Sequence, residues 1–102
     1  MDINKLMKQA QQMQAGMQKA QEDLAGKTVE ASVGGGKVTV VATGAGDVHD
    51  IKIDPSIIDP EDAEFLQELV LKCVQEAITK GKDMASGEMS KLTGGLNIPG
   101  LG

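Results

Sequence analysis

No arginine, tryptophan or tyrosine occurs in these 102 residues, and phenylalanine, cysteine and histidine occur once each, as Phe65, Cys73 and His49. Without arginine, bidentate reading of guanine edges is unavailable. With a single aromatic ring, base stacking is nearly excluded and no large rings can fill a core. The lone cysteine rules out an internal disulfide and fits a reducing compartment. The lone histidine has neither a nucleophile nor metal-ligand partners at any known spacing. No run approaches the ~20 apolar residues of a membrane span, and the amino terminus lacks the apolar core of a signal peptide. A soluble cytoplasmic chain is expected.

What remains for burial is Val, Ile, Leu, Ala and six Met. That is a thin supply for a monomer of this size, so burial between subunits is the first expectation. Ten lysines face fifteen acids, for a net charge of −5, and the imbalance is local. Residues 1–52 are balanced, whereas Asp54, Asp59, Glu61, Asp62, Glu64 and Glu68 form a run without a base. The net sign therefore says little about the field at the amino end.

Residues 2–25 read as a helix. Ile3, Leu6, Ala10, Met13, Met17, Ala20 and Leu24 follow a 3,4 spacing that makes an unbroken heptad seam. Asp2 suits the N-cap and Gly26 the C-cap. Residues 28–54 are the only part with a period near two, broken by Gly34-Gly35-Gly36 and Gly44-Ala45-Gly46-Asp47 where turns are needed. They read as a three-stranded meander. In the third strand Val48 has the opposite parity to Ile51 and Ile53, which a bulge near His49-Asp50 would reconcile. Asp59-Pro60-Glu61-Asp62 starts a second helix, with Asp59 as N-cap and Pro60 at the first helical position. It runs to about Leu92. Its stripe of Leu66, Leu69, Val70, Cys73, Val74, Ala77 and Ile78 faces a core, and beyond Gly81 it thins and is expected to project. The domain is thus expected over 1–92, with a flexible tail over 93–102.

The glycine stretches do not make a nucleotide loop. Gly34-Gly35-Gly36-Lys37-Val38 lacks the earlier glycine and has Val38 where Ser or Thr must hold magnesium, and no helix follows. Hairpin turns explain them. His49 reads as a surface or interface residue, and Cys73, inside an apolar stripe, as a buried inert thiol. The acid run lacks the alternating ligands of a calcium loop and reads as helix initiation. The lysines are the candidates with chemistry to offer. Lys5, Lys8 and Lys19 lie on the first helix, and Lys80, Lys82 and Lys91 near the end of the second. A solvated helix face is the plain reading of such lysines. Doubled in a dimer, they form separated basic patches able to meet DNA phosphates with little base readout and strong salt dependence.

Leu6-Met7-Lys8-Gln9-Ala10-Gln11-Gln12-Met13-Gln14 resembles the amino-terminal helix of the YbaB/EbfC family of bacterial nucleoid-associated proteins. The resemblance continues through Lys37-Val38-Thr39-Val40, the Gly44 turn, Ile53-Asp54-Pro55-Ser56-Ile57-Ile58 and Leu66-Gln67-Glu68-Leu69-Val70. It ends with Glu88-Met89-Ser90-Lys91-Leu92-Thr93-Gly94-Gly95 and Pro99-Gly100-Leu101. It implies an α+β fold of helix, three-stranded antiparallel meander and long C-terminal helix, forming a homodimer with projecting helical arms. It also implies binding of duplex DNA and a role in nucleoid organisation or gene regulation. Basic residues of the arms are its usual candidates for DNA contact. Lys8, Lys19 and Lys91 are carried over on that basis, and Lys5, Lys80 and Lys82 are added from their position. The chain departs from the pattern in having Asp50 in the third strand and no arginine.

The expectation is a non-enzymatic DNA-binding homodimer of the bacterial cytoplasm and nucleoid. No cofactor, metal, membrane or small-molecule substrate is expected, because no pair of groups suits acid–base or nucleophilic work. The rival is a protein-interaction module that uses the heptad helix and its exposed Met, with weak or no DNA binding.

Overall fold

The computed structural model describes residues 2–94. Helix α1 spans Ile3–Ala25, strands β1, β2 and β3 span Thr28–Val33, Val38–Thr43 and Val48–Ile53, and helix α2 spans Ala63–Gly94. Of the expected tail, Thr93 and Gly94 belong to α2, and residues 95–102 lie outside the described residues. The molecule is long and thin, 71 × 27 × 17 Å, with a radius of gyration of 19.7 Å. A compact chain of this length would have a radius near ~13 Å.

The local signals act where expected at α1. Asp2 accepts a hydrogen bond from the Asn4 amide, and the Gly26 amide donates back to Asp23 and Leu24. Gly26 stays right-handed, with φ −92°, so this end does not depend on glycine's freedom. The β1–β2 turn does. Gly34, Gly35 and Gly36 take φ of 64°, 68° and 85°, a left-handed run that only glycine adopts cheaply.

The sheet has the order β1-β2-β3, both pairings antiparallel. The bulge is present. Val41 pairs with Asp50 and Ala42 with Val48, which leaves His49 as the extra residue. Val48, Ile51 and Ile53 thereby join Val38, Val40 and Ala42 on one face.

Helix α2 covers that face over β1 and β2. Ala31, Val38, Val40 and Ala42 are buried against Cys73 and Ala77, with Val29, Val33, Leu69, Val70 and Val74 around them. The Cys73 thiol donates to the Ala31 carbonyl at 3.1 Å and also lies 3.5 Å from that of Val38. Burial pushes its pKa up, as expected for a thiol held protonated in an apolar layer. The expected burial between subunits is not what covers β1 and β2, because the α2 stripe of the same chain already buries them. What α2 leaves open is β3, where Val48 and Ile51 are exposed.

A second correction concerns the start of α2. Pro60–Asp62 forms a separate 3-10 turn capped by Asp59, whose carboxylate accepts from the Glu61 amide, and α2 begins only at Ala63. A preceding 3-10 turn over Pro55–Ile57 is capped in the same way by Asp54. The chain thus leaves β3 through two tight turns, each proline-led and aspartate-capped, before the helix takes over.

Candidate nucleic-acid interface

The feature that sets the geometry is a three-way junction at the far end of the sheet from the triple-glycine turn. Leu24 is the buried residue of α1, and it seats on Gly44. The Gly44 amide donates to the carbonyls of Leu24 and Lys27 at 3.0 and 3.1 Å. A Cβ on Gly44 would stand 2.9 Å from the Leu24 side chain. On the other side α2 crosses the end of β2 at Gly81, where a Cβ would lie 2.5 Å from the Thr43 carbonyl oxygen. Two absent methyl groups therefore let α1, β2 and α2 meet. Thr43 itself is buried, and its hydroxyl accepts from the amides of Ala45 and Asp47.

From this junction α1 and α2 leave together as an antiparallel arm. Lys27 pairs with Glu88 at 3.4 Å. Further out, Gly16, Lys19, Ala20 and Asp23 line one cleft with Glu88 and Lys91. Lys91 reaches Glu88 at 3.9 Å. Beyond the cleft α1 continues toward its amino end with no other described residue beside it. Ile3, Leu6, Met13 and Met17 of the heptad seam are exposed, so among the described residues the seam is covered only near its carboxyl end.

The charges of α1 fall on the face opposite the seam. Between Ile3 and Gln21 there are three lysines and no acid. At about 100° per residue, Lys5, Lys8 and Lys19 share an arc of roughly 60°. They form a stripe on a projecting helix, spread over ~21 Å of its length. The acid run 54–68 lies around the start of α2, at the triple-glycine end of the body, where Asp54 pairs with Lys37 at 3.3 Å. Glu68 and Lys91 are 23 residues apart on one helix, or ~35 Å. That is more than three Debye lengths at ~10 Å each in 0.1 M salt. The negative net charge is therefore screened from the arm.

The six expected lysines end up in different settings. Lys5, Lys8 and Lys19 share the α1 stripe, and Lys91 joins Lys19 across the cleft. Lys80 turns the other way and donates to the Glu30 backbone carbonyl at 3.0 Å, on the edge strand β1, a common way to blunt an open edge. Lys82 is exposed on α2, about 200° around the helix from Lys80. The structure adds Lys27, which the sequence did not single out. It lies past the end of α1, and only the folding-back of α2 brings Glu88 and Lys91 beside it.

The family model of the YbaB/EbfC DNA-binding family matches residues 1–96. A nucleoid-associated protein of Akkermansia muciniphila is 57 % identical over 103 residues, covering 100 % of this chain and 99 % of that one. One of Acetivibrio thermocellus is 56 % identical over 101 residues, covering 98 % of this chain and 89 % of that one. Among solved structures, the uncharacterized protein HP0035 from Helicobacter pylori shares the fold, with a TM-score of 0.64 and 22 % identity. That match covers 76 % of this chain and 90 % of that one.

Proposed function

The chain belongs to the YbaB/EbfC DNA-binding family, and from that premise we propose that it binds duplex DNA through phosphate contacts made by the arm. The observation that carries this reading is the lysine stripe Lys5, Lys8 and Lys19, with no acid between Ile3 and Gln21, on a helix that projects from the body. Lys91 extends it across the cleft, and Lys80 and Lys82 are secondary contacts. The lack of arginine removes the commonest guanine-reading side chain, and a single aromatic ring, Phe65, leaves almost no base stacking. Binding is then weakly selective and set by counterion release. The role is in nucleoid organisation or gene regulation, in the cytoplasm at the nucleoid. The family is a DNA-binding family and not an enzyme class.

The working form is a homodimer. Val48 and Ile51 on β3 lie exposed, as does a shallow apolar hollow of Leu66, Val70, Leu71 and Val74 on α2. A second copy seated there would place two arms on one particle. Ile51→Lys should then give a monomer by light scattering, and an unchanged dimer mass would move the interface elsewhere.

Fluorescence anisotropy with a labelled duplex across a salt series tests the DNA reading. With six phosphate contacts per dimer, affinity should fall about 10³-fold between 50 and 200 mM salt. Changing Lys5, Lys8 and Lys19 together to Gln should lower the log–log salt slope by about 5 in the dimer. Affinity indifferent to salt would refute the phosphate mechanism. A dimeric Gln variant that retains DNA fully would favour the rival reading instead, in which the exposed Met and Leu seam of α1 receives another protein.

A further inference from the structure

Lys27 and Lys91 converge on a single carboxylate oxygen. Glu88 Oε1 lies 3.4 Å from Lys27 Nζ and 3.9 Å from Lys91 Nζ. Neither distance is that of a close charge-assisted hydrogen bond, which runs at about 2.7–2.9 Å. The side chains of Lys27 and Lys91 are 48 % and 78 % exposed and that of Glu88 is 34 % exposed. Water therefore screens both pairs, and each holds weakly. The carboxylate sits between two ammonium groups without being locked to either.

The three groups stand in a cleft of about 460 Å³ completed by Gly16, Lys19, Ala20, Asp23 and Leu24. On the α1 side Gly16 and Ala20 add almost no bulk, and nothing lies within 4 Å of where a Gly16 Cβ would stand. At about 30 Å³ per water the space takes on the order of fifteen waters, ample for a phosphodiester group. The cleft flanks the lysine stripe. Gly16, Lys19 and Asp23 fall within about 60° of one another around α1, and Lys5, about five turns before Asp23, shares its azimuth. A phosphate backbone following the stripe from Lys5 to Lys19 thus reaches the mouth of the cleft. Inside it, Lys19, Lys27 and Lys91 face two carboxylates, Asp23 and Glu88. A carboxylate and a phosphodiester each spread one negative charge over two oxygens, so either suits the place between Lys27 and Lys91.

We propose that Glu88 occupies the seat of a DNA phosphate in the free protein, and that the phosphate displaces it and takes Lys27 and Lys91 as donors, which rests on the DNA-binding reading above. Lys27 is then a DNA-contact residue. Glu88 holds the two ammonium groups together until a phosphate arrives, and its displaced charge stays beside the phosphate. The cleft therefore binds DNA less tightly than its lysines alone would.

Fluorescence anisotropy of the full chain with a labelled duplex, across a salt series, tests this. Glu88→Gln removes the charge and keeps the shape. One charge removed at about 4 Å from a phosphate in water should raise affinity about fivefold per cleft. The log–log salt slope should steepen by about 0.9 per cleft, because one more lysine charge is left for DNA. Parental or weaker binding by Glu88→Gln overturns the proposal. The gain must also depend on the two lysines. In a chain already carrying Lys27→Gln and Lys91→Gln, which should bind more weakly than the parent, adding Glu88→Gln should change affinity by less than about twofold. A full fivefold gain in that background makes Glu88 a general repulsive charge and refutes the phosphate seat. Failure of the DNA-binding reading itself looks different: the parent then binds no duplex at low salt, which refutes both. A parent that binds and weakens on Lys5, Lys8 and Lys19→Gln, with no gain from Glu88→Gln, refutes the phosphate seat alone.

Discussion

Replacing Gly81 by alanine tests whether the junction is as tight as the structure shows, and Gly87 supplies the control from the same helix. In an open helix position, Gly→Ala is favourable by about 0.8–1.0 kcal/mol. Gly87 has nothing within 4 Å of an added Cβ, so Gly87→Ala should gain up to that amount. At Gly81 the Cβ would lie 2.5 Å from the Thr43 carbonyl oxygen and 3.4 Å from its carbon. The obstacle is backbone, fixed by the Gly46 amide, which donates to that oxygen at 3.0 Å. It cannot rotate away, so α2 must lift from the end of β2. Such overpacking costs about 1–3 kcal/mol, which outweighs the helix gain at most of that range. Near ~2.1 cal/mol/K per residue, 1 kcal/mol shifts the midpoint of a chain this size by about 5 °C. Gly81→Ala should therefore melt lower, by up to about 10 °C, and Gly87→Ala as much as ~5 °C higher. Thermal unfolding followed by circular dichroism reads both, at one fixed protein concentration so that association does not move the midpoint. If Gly81→Ala melts at or above the parent, the close crossing of α2 over β2, and the junction built on it, are refuted.

Leu24→Ala should release α1 from the body, because Leu24 is its buried side chain and seats on Gly44. The cost should be about 2–3 kcal/mol, read as accelerated amide exchange along α1 with β2 unaffected. Asp54 carries a pH dependence. The Ser56 amide and hydroxyl and the Lys37 ammonium hold its carboxyl below the usual carboxylate range. Its contribution is therefore present above the ordinary carboxylate pKa and lost as pH falls through the lowered folded value. Asp54→Asn should remove that acid-side loss from an unfolding-versus-pH curve, and an identical curve would contradict the assignment. Cys73 should react with an aromatic disulfide reagent only at the rate of opening in native buffer, and at once in denaturant.

Much of this protein was legible in its sequence because the deciding interactions are local. Asp2 and Gly26 bound α1, and the alternation in 28–33 and 38–43 gave the strands. The parity conflict between Val48 and Ile51 located the bulge at His49, which brings the apolar residues of β3 onto one face. The start of α2 was misplaced by one turn because Asp59 and Pro60 signal a helical start equally well for a 3-10 turn. The lysine stripe was visible as a helical periodicity, but not its setting.

Sequence alone determined the order of helix, three strands and helix, the absence of arginine, and the segregation of acids into residues 54–68. Tertiary structure decided which surfaces meet. Burial of β1 and β2 under α2 within one chain depends on the crossing at Gly81, and the direction of the arm on Leu24 seated at Gly44. The ties of Lys80 to Glu30 and of Lys27 to Glu88 join residues far apart along the chain. A periodicity shows that a face is apolar or basic, but only packing shows what lies opposite it. The close approach of two backbones leaves no pattern in a sequence beyond a pair of glycines that look like any others.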